Sequence, residues 1–306
     1  MERKEFLIQT GIVAGAALLA PSIISAKKKA ERLVILHTND THSNIDPFPP
    51  NHPKFPNQGG VSKRANVINQ IRREEENVLL LDAGDLFQGT PYFNKFKGVI
   101  EMKTMEAMGY DVVTLGNHDF DLGADAYAQA YKEHATFSIV NANYDLSKTS
   151  LSSVVSSHTI IKKGRFKIGV FGLGVNLNGL VSPNLIDGIQ YIDPIPVAQQ
   201  QADLLAKKGC NVVICLSHLG YNYPTDQVSD KILAKNTHGI DVIIGGHTHT
   251  FLESIDSITN KNGKQVYINQ VGYGGLKLGR IDLEISDLKA NGNISSSSIA
   301  LDESIA

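Results

Sequence analysis

Five short stretches of this 306-residue chain gather side chains that can hold metal or move protons: Asp40-Thr41-His42, Asp82-Ala83-Gly84-Asp85, Gly116-Asn117-His118-Asp119-Phe120-Asp121, Ser217-His218 and Gly245-Gly246-His247-Thr248-His249. Each follows a short apolar run. A buried strand that ends in so many polar groups must satisfy them by hydrogen bonds, water or metal. Taken alone, any one stretch reads equally well as a polar loop of turn-forming Asn and Asp. Their recurrence points to a common site. Imidazole, carboxylate and amide donors without a thiolate suit Zn²⁺, Mn²⁺, Fe or Co²⁺ better than Ca²⁺, which prefers all-oxygen shells. The donors are too many for one tetrahedral ion and fit two ions about 3.5–4 Å apart that share a carboxylate.

Placing these donors requires strands. Leu33 to Leu36, Val78 to Leu81, Val112 to Leu115, Val212 to Leu216 and Ile240 to Ile244 are continuous apolar runs of strand length, the pattern of strands buried on both faces. Helix-period segments alternate with them: Val61 to Ile71, Glu101 to Met108 ending at Gly109, Ala124 to His134, a helix opened by Pro194 or Pro196 and running to Lys208, and one around Asp226 to Asn236. In open α/β sheets ligands collect at the carboxyl ends of the strands, so the five loops are expected on one edge. Extended residues i and i+2 face the same way, which lets Asp40 and His42 converge. His247 and His249 can do likewise, reaching different ions as the chain turns. Gly84, Gly116, Gly245 and Gly246 permit close backbone approach or positive φ beside the donors.

The five blocks, in this order and spacing, resemble the signature of calcineurin-like metallophosphatases. The longer forms, Leu36-His37-Thr38-Asn39-Asp40-Thr41-His42, Asp82 to Thr90 and Gly116 to Asp121, are similar to the catalytic domain of the bacterial 5′-nucleotidase and UDP-sugar hydrolase family. The resemblance runs from about Leu33 to Asp287. It implies an α/β fold, a four-layer α-β-β-α sandwich of the metallophosphatase type, and two divalent metal ions as cofactors. Carried over block by block, it implies that Asp40, His42 and His249 hold one ion, that Asn117, His218 and His247 hold the other, and that Asp85 bridges both. It further implies that His118 serves the phosphate and its leaving oxygen, oriented by Asp121. The expected activity is hydrolysis of phosphate monoesters, foremost nucleoside 5′-monophosphates. The alternatives are a phosphodiesterase acting on cyclic nucleotides or nucleotide sugars, and a non-catalytic metal-binding scaffold. The intact His118 and Asp121 argue against the scaffold. Relatives with nucleotidase activity carry a second, C-terminal domain that binds the nucleoside. Residues 30–306 are read as a single catalytic domain without it, so a separate protein supplying that half is an expected partner.

Composition agrees with a globular enzyme: 42% hydrophobic residues and a net charge of −2, which gives no footprint for nucleic acid. Residues 1–26 have a basic start, a short apolar middle and a small-residue end. They read as an export signal of Tat-like or Sec type, hence a periplasmic location and no membrane anchor. Cys210 precedes and Cys215 lies within the strand Val212 to Leu216; both are expected unpaired, Cys215 in the core. Of the other histidines, His37 is expected to pack beside its strand, and His52, His134, His158 and His238 to lie in loops or at helix ends without chemistry. Asp82 and Asp119 are expected to bond backbone near the site, and Asn39 to support Asp40. Tyr221 and Tyr223 follow His218 closely enough to line the site or to be ordinary surface tyrosines. The run Arg72 to Glu76 reads as a solvated helix end, and Met102, Met105 and Met108 as core. Asn262-Gly263 and Asn291-Gly292 signal hairpins, with Ser295 to Ser298 an edge strand or a frayed tail.

Overall fold

The computed structural model describes residues 31–285 and 294–305. The segment read as an export signal and the Asn291-Gly292 turn lie outside the described residues. In chain order the first half comprises β1 (Glu31–Thr38), α1 (Val61–Glu74), β2 (Val78–Asp82), α2 (Pro91–Phe96), α3 (Val99–Met108), β3 (Val112–Thr114) and α4 (Ala124–His134). It continues through β4 (Ser138–Val140), β5 (Tyr144–Asp145), β6 (Val155–Ser156), β7 (His158–Lys163), β8 (Phe166–Gly174) and β9 (Gln190–Tyr191). The remainder is α5 (Pro194–Lys207), β10 (Val212–His218), α6 (Asp230–Asn236), β11 (Val242–Gly245), β12 (Asp256–Thr259), β13 (Gln265–Asn269), β14 (Lys277–Ile285) and β15 (Ile294–Ala300).

Two mixed sheets carry the fold. One has seven strands in the order β15-β14-β1-β2-β3-β4-β6, the other six in the order β12-β13-β11-β10-β8-β7. The site-bearing strands are parallel within each sheet: β1 with β2 and β2 with β3, and β10 with β11. Alternation along these strands builds the layers. Leu33, Ile35, Leu79 and Leu81 face Ile168, Ile214, Leu216 and Ile244 between the sheets. Val34, Leu36, Val78 and Leu80 face the other way, onto Ile68 and Ile71 of α1, Met105 of α3 and Tyr127 of α4. Val213, Cys215 and Ile243 pack under Ala202 and Leu205 of α5 and Leu233 of α6. The result is the four-layer α-β-β-α sandwich. Both faces of each central strand are buried, which is why the runs lack polar alternation.

Most local expectations hold. Met102, Met105 and Met108 are buried, Cys215 is core and both cysteines are free. Asp193 caps α5 through Oδ1, which accepts the Ile195 N–H at 3.0 Å, and Pro194 sits in the first turn. β12 and β13 pair antiparallel around Asn262-Gly263. The serine run is the edge strand β15, antiparallel to β14.

Other expectations need correction. The charged run that ends α1 is exposed at Arg73, Glu74 and Glu76 but docked at two positions: Arg72 donates to the Met108 carbonyl at 2.5 Å and the Gly109 carbonyl at 2.7 Å, and Glu75 pairs with Arg280 at 2.8 Å and with Arg32. α6 starts later than the sequence suggests, because Ser229 caps it by accepting the Ile232 N–H. His158 opens strand β7, which forms a hairpin with β8. α2 escapes sequence reading at six residues; Thr90 caps it and Pro91 opens it.

Candidate metal centre

β1, β2 and β3 deliver their carboxyl ends from one sheet, and β10 and β11 from the other. The five polar loops therefore meet at one end of the sandwich, from two sheets and not along the edge of one. Two donor groups result: Asp40, His42 and His249 form one, and Asp85, His218 and His247 the other, with ligand atoms in each within 4.8 Å of one another. Asn117 joins the second, its Oδ1 2.8 Å from His247 Nδ1. Asp85 lies between the groups: its Oδ2 is 3.1 Å from His218 Nε2 and 3.8 Å from His42 Nε2. Asp40 Oδ1 is 3.4 Å from His249 Nε2 and 3.9 Å from both His42 and His218 Nε2. All seven residues singled out as ligands in the sequence are thus brought together.

The backbone that does this is unusual. Asp40, His42, Asp85, His247 and His249 all have positive φ, between 47° and 73°, and they are five of only nine such non-glycine residues among those described. A left-handed residue with a side chain costs about 1–3 kcal/mol and persists only where its surroundings over-determine it. Asp and His tolerate the region better than most. Asp40 and His42 therefore converge through tight left-handed turns after the end of β1, not through the extended spacing that the sequence suggests. The glycines serve a different need. Gly84 does adopt positive φ, at 91°. Gly116 does not; a Cβ there would stand 2.1 Å from Asp85 Oδ1.

A buried polar frame fixes these loops. The Asp119 carboxylate accepts the N–H groups of Gly116 (2.8 Å), Asp85 (3.1 Å), Leu86 (3.0 Å) and Phe87 (3.3 Å), tying the loop after β2 to the loop after β3. Asp82 accepts the Gly84 N–H at 2.8 Å and the Thr38 hydroxyl at 2.5 Å. Burial pushes Asp82 up to about 8; burial and the charge of Asp85 push Asp119 up to about 7, against the amides that draw it down. Asn39 donates to Asp40 Oδ2 at 2.6 Å and accepts the Val271 N–H at 3.0 Å.

Sequence reasoning missed Gln270. Fully buried, it accepts the Thr250 N–H at 2.5 Å and the Thr248 hydroxyl at 3.0 Å, and donates to the Gly246 carbonyl at 2.5 Å. It thereby grips the loop carrying His247 and His249. The available signal was Val266-Tyr267-Ile268-Asn269-Gln270, another apolar run ending in polar residues.

The donor set fits divalent metal. His218 Nδ1 faces the Ala83 carbonyl at 2.7 Å and His42 Nδ1 the Phe87 carbonyl at 3.1 Å, so each ring donates there and turns its Nε2 lone pair inward. Metal-bound histidines are oriented in this way. His218 Nε2 is fully buried and has no hydrogen-bond partner. Burial pulls the His218 pKa down, but the nearby charges of Asp85 and Asp40 outweigh it and raise the pKa to about 10. Burial and His218 push His247 down to about 4. Burial opposes the ionised form of Asp85, yet His218 and His42 hold its carboxyl far below the usual range. The carboxylates of Asp85 and Asp40 thus favour positive charge in this pocket.

His118 stands apart from the donors. Its backbone N–H donates to Asp85 Oδ1 at 2.8 Å, while its ring bonds Asp121 Oδ2 through Nδ1 at 2.9 Å and lies edge-on to His42, centroids 5.4 Å apart. Burial lowers its pKa, but Asp85 and Asp121 together raise it. The remaining histidines take no part in the site. His37 is buried with both nitrogens unpartnered, His52 stacks on Phe55, His134 ends α4, and His238 lies in the loop after α6, its N–H donating to Gln199. Tyr223 lines a cleft of about 590 Å³ that opens beside His247. Tyr221 turns away, its hydroxyl on Asp256 at 2.7 Å and its ring under Lys231.

The four-layer sandwich with two such donor groups at one end is the metallophosphatase fold. The chain belongs to the calcineurin-like phosphoesterase family, whose sequence model matches residues 33–251. It is 33% identical over 285 residues to the snake venom 5′-nucleotidase of Gloydius brevicauda, covering 85% of this chain and 47% of that one. It is 32% identical over 289 residues to the 5′-nucleotidase of Homo sapiens, covering 88% and 48%. Among solved structures, the 5′-nucleotidase precursor from Thermus thermophilus superposes with a TM-score of 0.82 at 30% identity, over 90% of this chain and 55% of that one. The chain spans about half the length of these relatives. Among the described residues no helix is long and apolar enough to cross a membrane.

Proposed function

We propose that this chain is a dinuclear-metal phosphohydrolase that hydrolyses phosphate monoesters, nucleoside 5′-monophosphates foremost. The observation that carries the reading is Asp85, set between two donor groups while its other oxygen receives the His118 N–H. Asp40, His42 and His249 would hold one ion and Asn117, His218 and His247 the other. Zn, Mn, Co and Fe all suit these donors. When bound, such a pair supplies Lewis-acid charge and a water of lowered pKa.

The chain's own residues do the rest. Asp119, Gln270 and Asn39 hold the loops so that no reorganisation is needed as charge develops. His118, whose pKa Asp85 and Asp121 raise, gives a proton to the leaving oxygen as the ester bond breaks; Asp121 fixes the Nδ1–H and so presents Nε2 to that oxygen. The venom and mammalian relatives named 5′-nucleotidases favour a nucleotide as the ester. We further propose export to the periplasm, from the charge and apolar pattern of residues 1–26.

The test is hydrolysis of AMP, a nitrophenyl monoester and a bis-nitrophenyl diester by protein stripped with chelator and reloaded with Mn²⁺, Co²⁺ or Zn²⁺. Metal-dependent release of phosphate from the monoesters, well above turnover of the diester, is expected. Preference for the diester, or no turnover with any metal, overturns the reading.

A further inference from the structure

Four histidines belong to the donor groups, and three of them have Nδ1 within hydrogen-bond distance of an oxygen: His42 at the Phe87 carbonyl, His218 at the Ala83 carbonyl and His247 at Asn117 Oδ1. His249 is the exception. Among the described residues its ring has polar contacts only at Nε2, with His42 Nε2 at 3.0 Å and Asp40 Oδ1 at 3.4 Å. Its side chain is 40% exposed, whereas those of Asp40, His42, Asp85 and His218 are 10% exposed or less. An exposed ring without a hydrogen bond at its outer nitrogen is free to swing unless something else holds it. Here an aromatic face does so. The His249 ring stacks on Tyr273, with centroids 5.0 Å apart and planes at 22°, and meets the His42 ring edge-on at 5.1 Å.

The backbone around Tyr273 is tied to the same donor group. Asn39 donates to the Gly272 carbonyl at 2.6 Å, the Gly272 N–H donates to the Thr250 carbonyl at 3.0 Å, and the Gly274 N–H donates to the Asp40 carbonyl at 2.7 Å. The Tyr273 ring is closed in by Phe251 at 5.9 Å, and by Phe48 and Phe55 of the proline-rich residues 46–56, both at 6.4 Å. All three meet it edge to face, a favoured geometry for aromatic pairs. Glycine on either side makes that closure possible. A Cβ would stand 2.1 Å from the Phe251 ring at position 272 and 2.7 Å from the Phe48 ring at position 274. An imidazole that carries positive charge, from a proton or from an ion at Nε2, is a better partner for the phenol face than a neutral one. Stacking and coordination at His249 therefore favour each other.

We propose that Tyr273 is a positioning residue for the metal centre: by stacking it fixes the plane of His249, in place of the hydrogen bond that orients His42 and His218, and so sets the affinity of the ion that Asp40, His42 and His249 would hold. The flat face does this and not the Tyr273 hydroxyl, which makes no hydrogen bond among the described residues. The assignment rests on the metal centre of the phosphohydrolase reading above and not on the ester that is hydrolysed.

The experiment titrates Mn²⁺ into chelator-stripped protein by isothermal calorimetry. Tyr273→Phe keeps the flat face and should bind both ions as the unaltered protein does. Tyr273→Leu and Tyr273→Gln remove that face at a half-buried position, so that one variant serves if the other folds poorly. Either should weaken one of the two ions about 10–100-fold, the usual cost of losing support behind a ligand, and leave the other unchanged. In a His249→Asn background, which withdraws the imidazole, Tyr273→Leu should have no further effect, because residues that act through one contact do not add. Unchanged binding in the leucine and glutamine variants, an equal weakening of both ions, the same loss in Tyr273→Phe, or a full effect in the His249→Asn background would each overturn the assignment. Metal uptake, not turnover, is the readout. Protein that shows the expected binding pattern but hydrolyses no ester therefore supports the role of Tyr273 and overturns the proposed activity; unaltered protein that takes up no divalent ion overturns both.

Discussion

His42 Nε2 lies 3.0 Å from His249 Nε2, two imidazole nitrogens aimed at each other over Asp40. The His42 proton is committed to the Phe87 carbonyl, so the meeting nitrogens are reconciled by a shared proton or by a cation between them. Metal loading should therefore stabilise the protein as well as activate it. Saturating Mn²⁺ or Zn²⁺ at about 100 times its dissociation constant should add about 2.7 kcal/mol per site, visible as a rise in Tm that EDTA reverses. Asp85→Asn keeps the shape but removes the shared charge; elemental analysis should find fewer than two ions per chain, with turnover down at least about 100-fold. Two ions and full activity in that variant would refute the bridging role.

His118 and Asp121 should separate chemistry from metal binding. His118→Ala is expected to lose about 10²–10⁴ in kcat on AMP while retaining both ions. The loss should shrink on nitrophenyl phosphate, whose leaving oxygen needs no proton. An equal loss on both esters, or loss of metal, would remove His118 from the leaving group.

The Asp119 carboxylate holds four backbone amides from two loops. Asp119→Ala should cost about 1–3 kcal/mol for each amide left without a partner that water cannot reach, read by urea unfolding. It should also weaken metal affinity about 10–100-fold, the usual cost of losing support behind a ligand. Gln270→Leu should weaken metal affinity similarly with a smaller loss of stability, since it frees a single loop.

His37 gives a pH prediction. Its ring is fully buried between the sheets and lies against Gly279, where a Cβ would come within 2.1 Å of Nε2. Burial drives its pKa down from 6.5 to about 3. Between those values the unfolded chain binds a proton that the folded chain does not. The stability contributed by the neutral ring is complete above the unfolded value and is lost as pH falls toward the folded one, at up to about 1.4 kcal/mol per pH unit. His37→Phe, which keeps a flat ring against Gly279, should flatten the decline in unfolding free energy between about pH 6.5 and 4. An unchanged slope would place the acid sensitivity elsewhere.

Much of the site was legible in the sequence. The donors recur after apolar runs at strand ends, and the parallel strands deliver them to one place. Less legible was whatever depends on long-range contact. Gln270 is 20 residues or more from the three loop groups it binds, on Gly246, Thr248 and Thr250, and nothing near it in sequence marks it as their partner. Arg72 and Glu75 look solvated because their partners, Met108, Gly109, Arg32 and Arg280, come from elsewhere in the chain. α2 is too short to show a helical period. The left-handed turns at Asp40 and His42 are hidden because Asp and His carry no signature of backbone conformation as glycine does.

Those left-handed ligands change how any mutational scan of the site must be interpreted. At Asp40, His42, Asp85, His247 and His249, alanine removes a donor atom and at the same time places an ill-suited residue at φ of about 50–70°. Its measured deficit would mix lost coordination with backbone penalty, inflating the ranking of these five over Asn117 and His218, whose φ is ordinary. Asparagine, which tolerates the left-handed region, and glycine, which is at home there, bracket the two contributions; the gap between the glycine and alanine variants at one position is a reading of the conformational share alone.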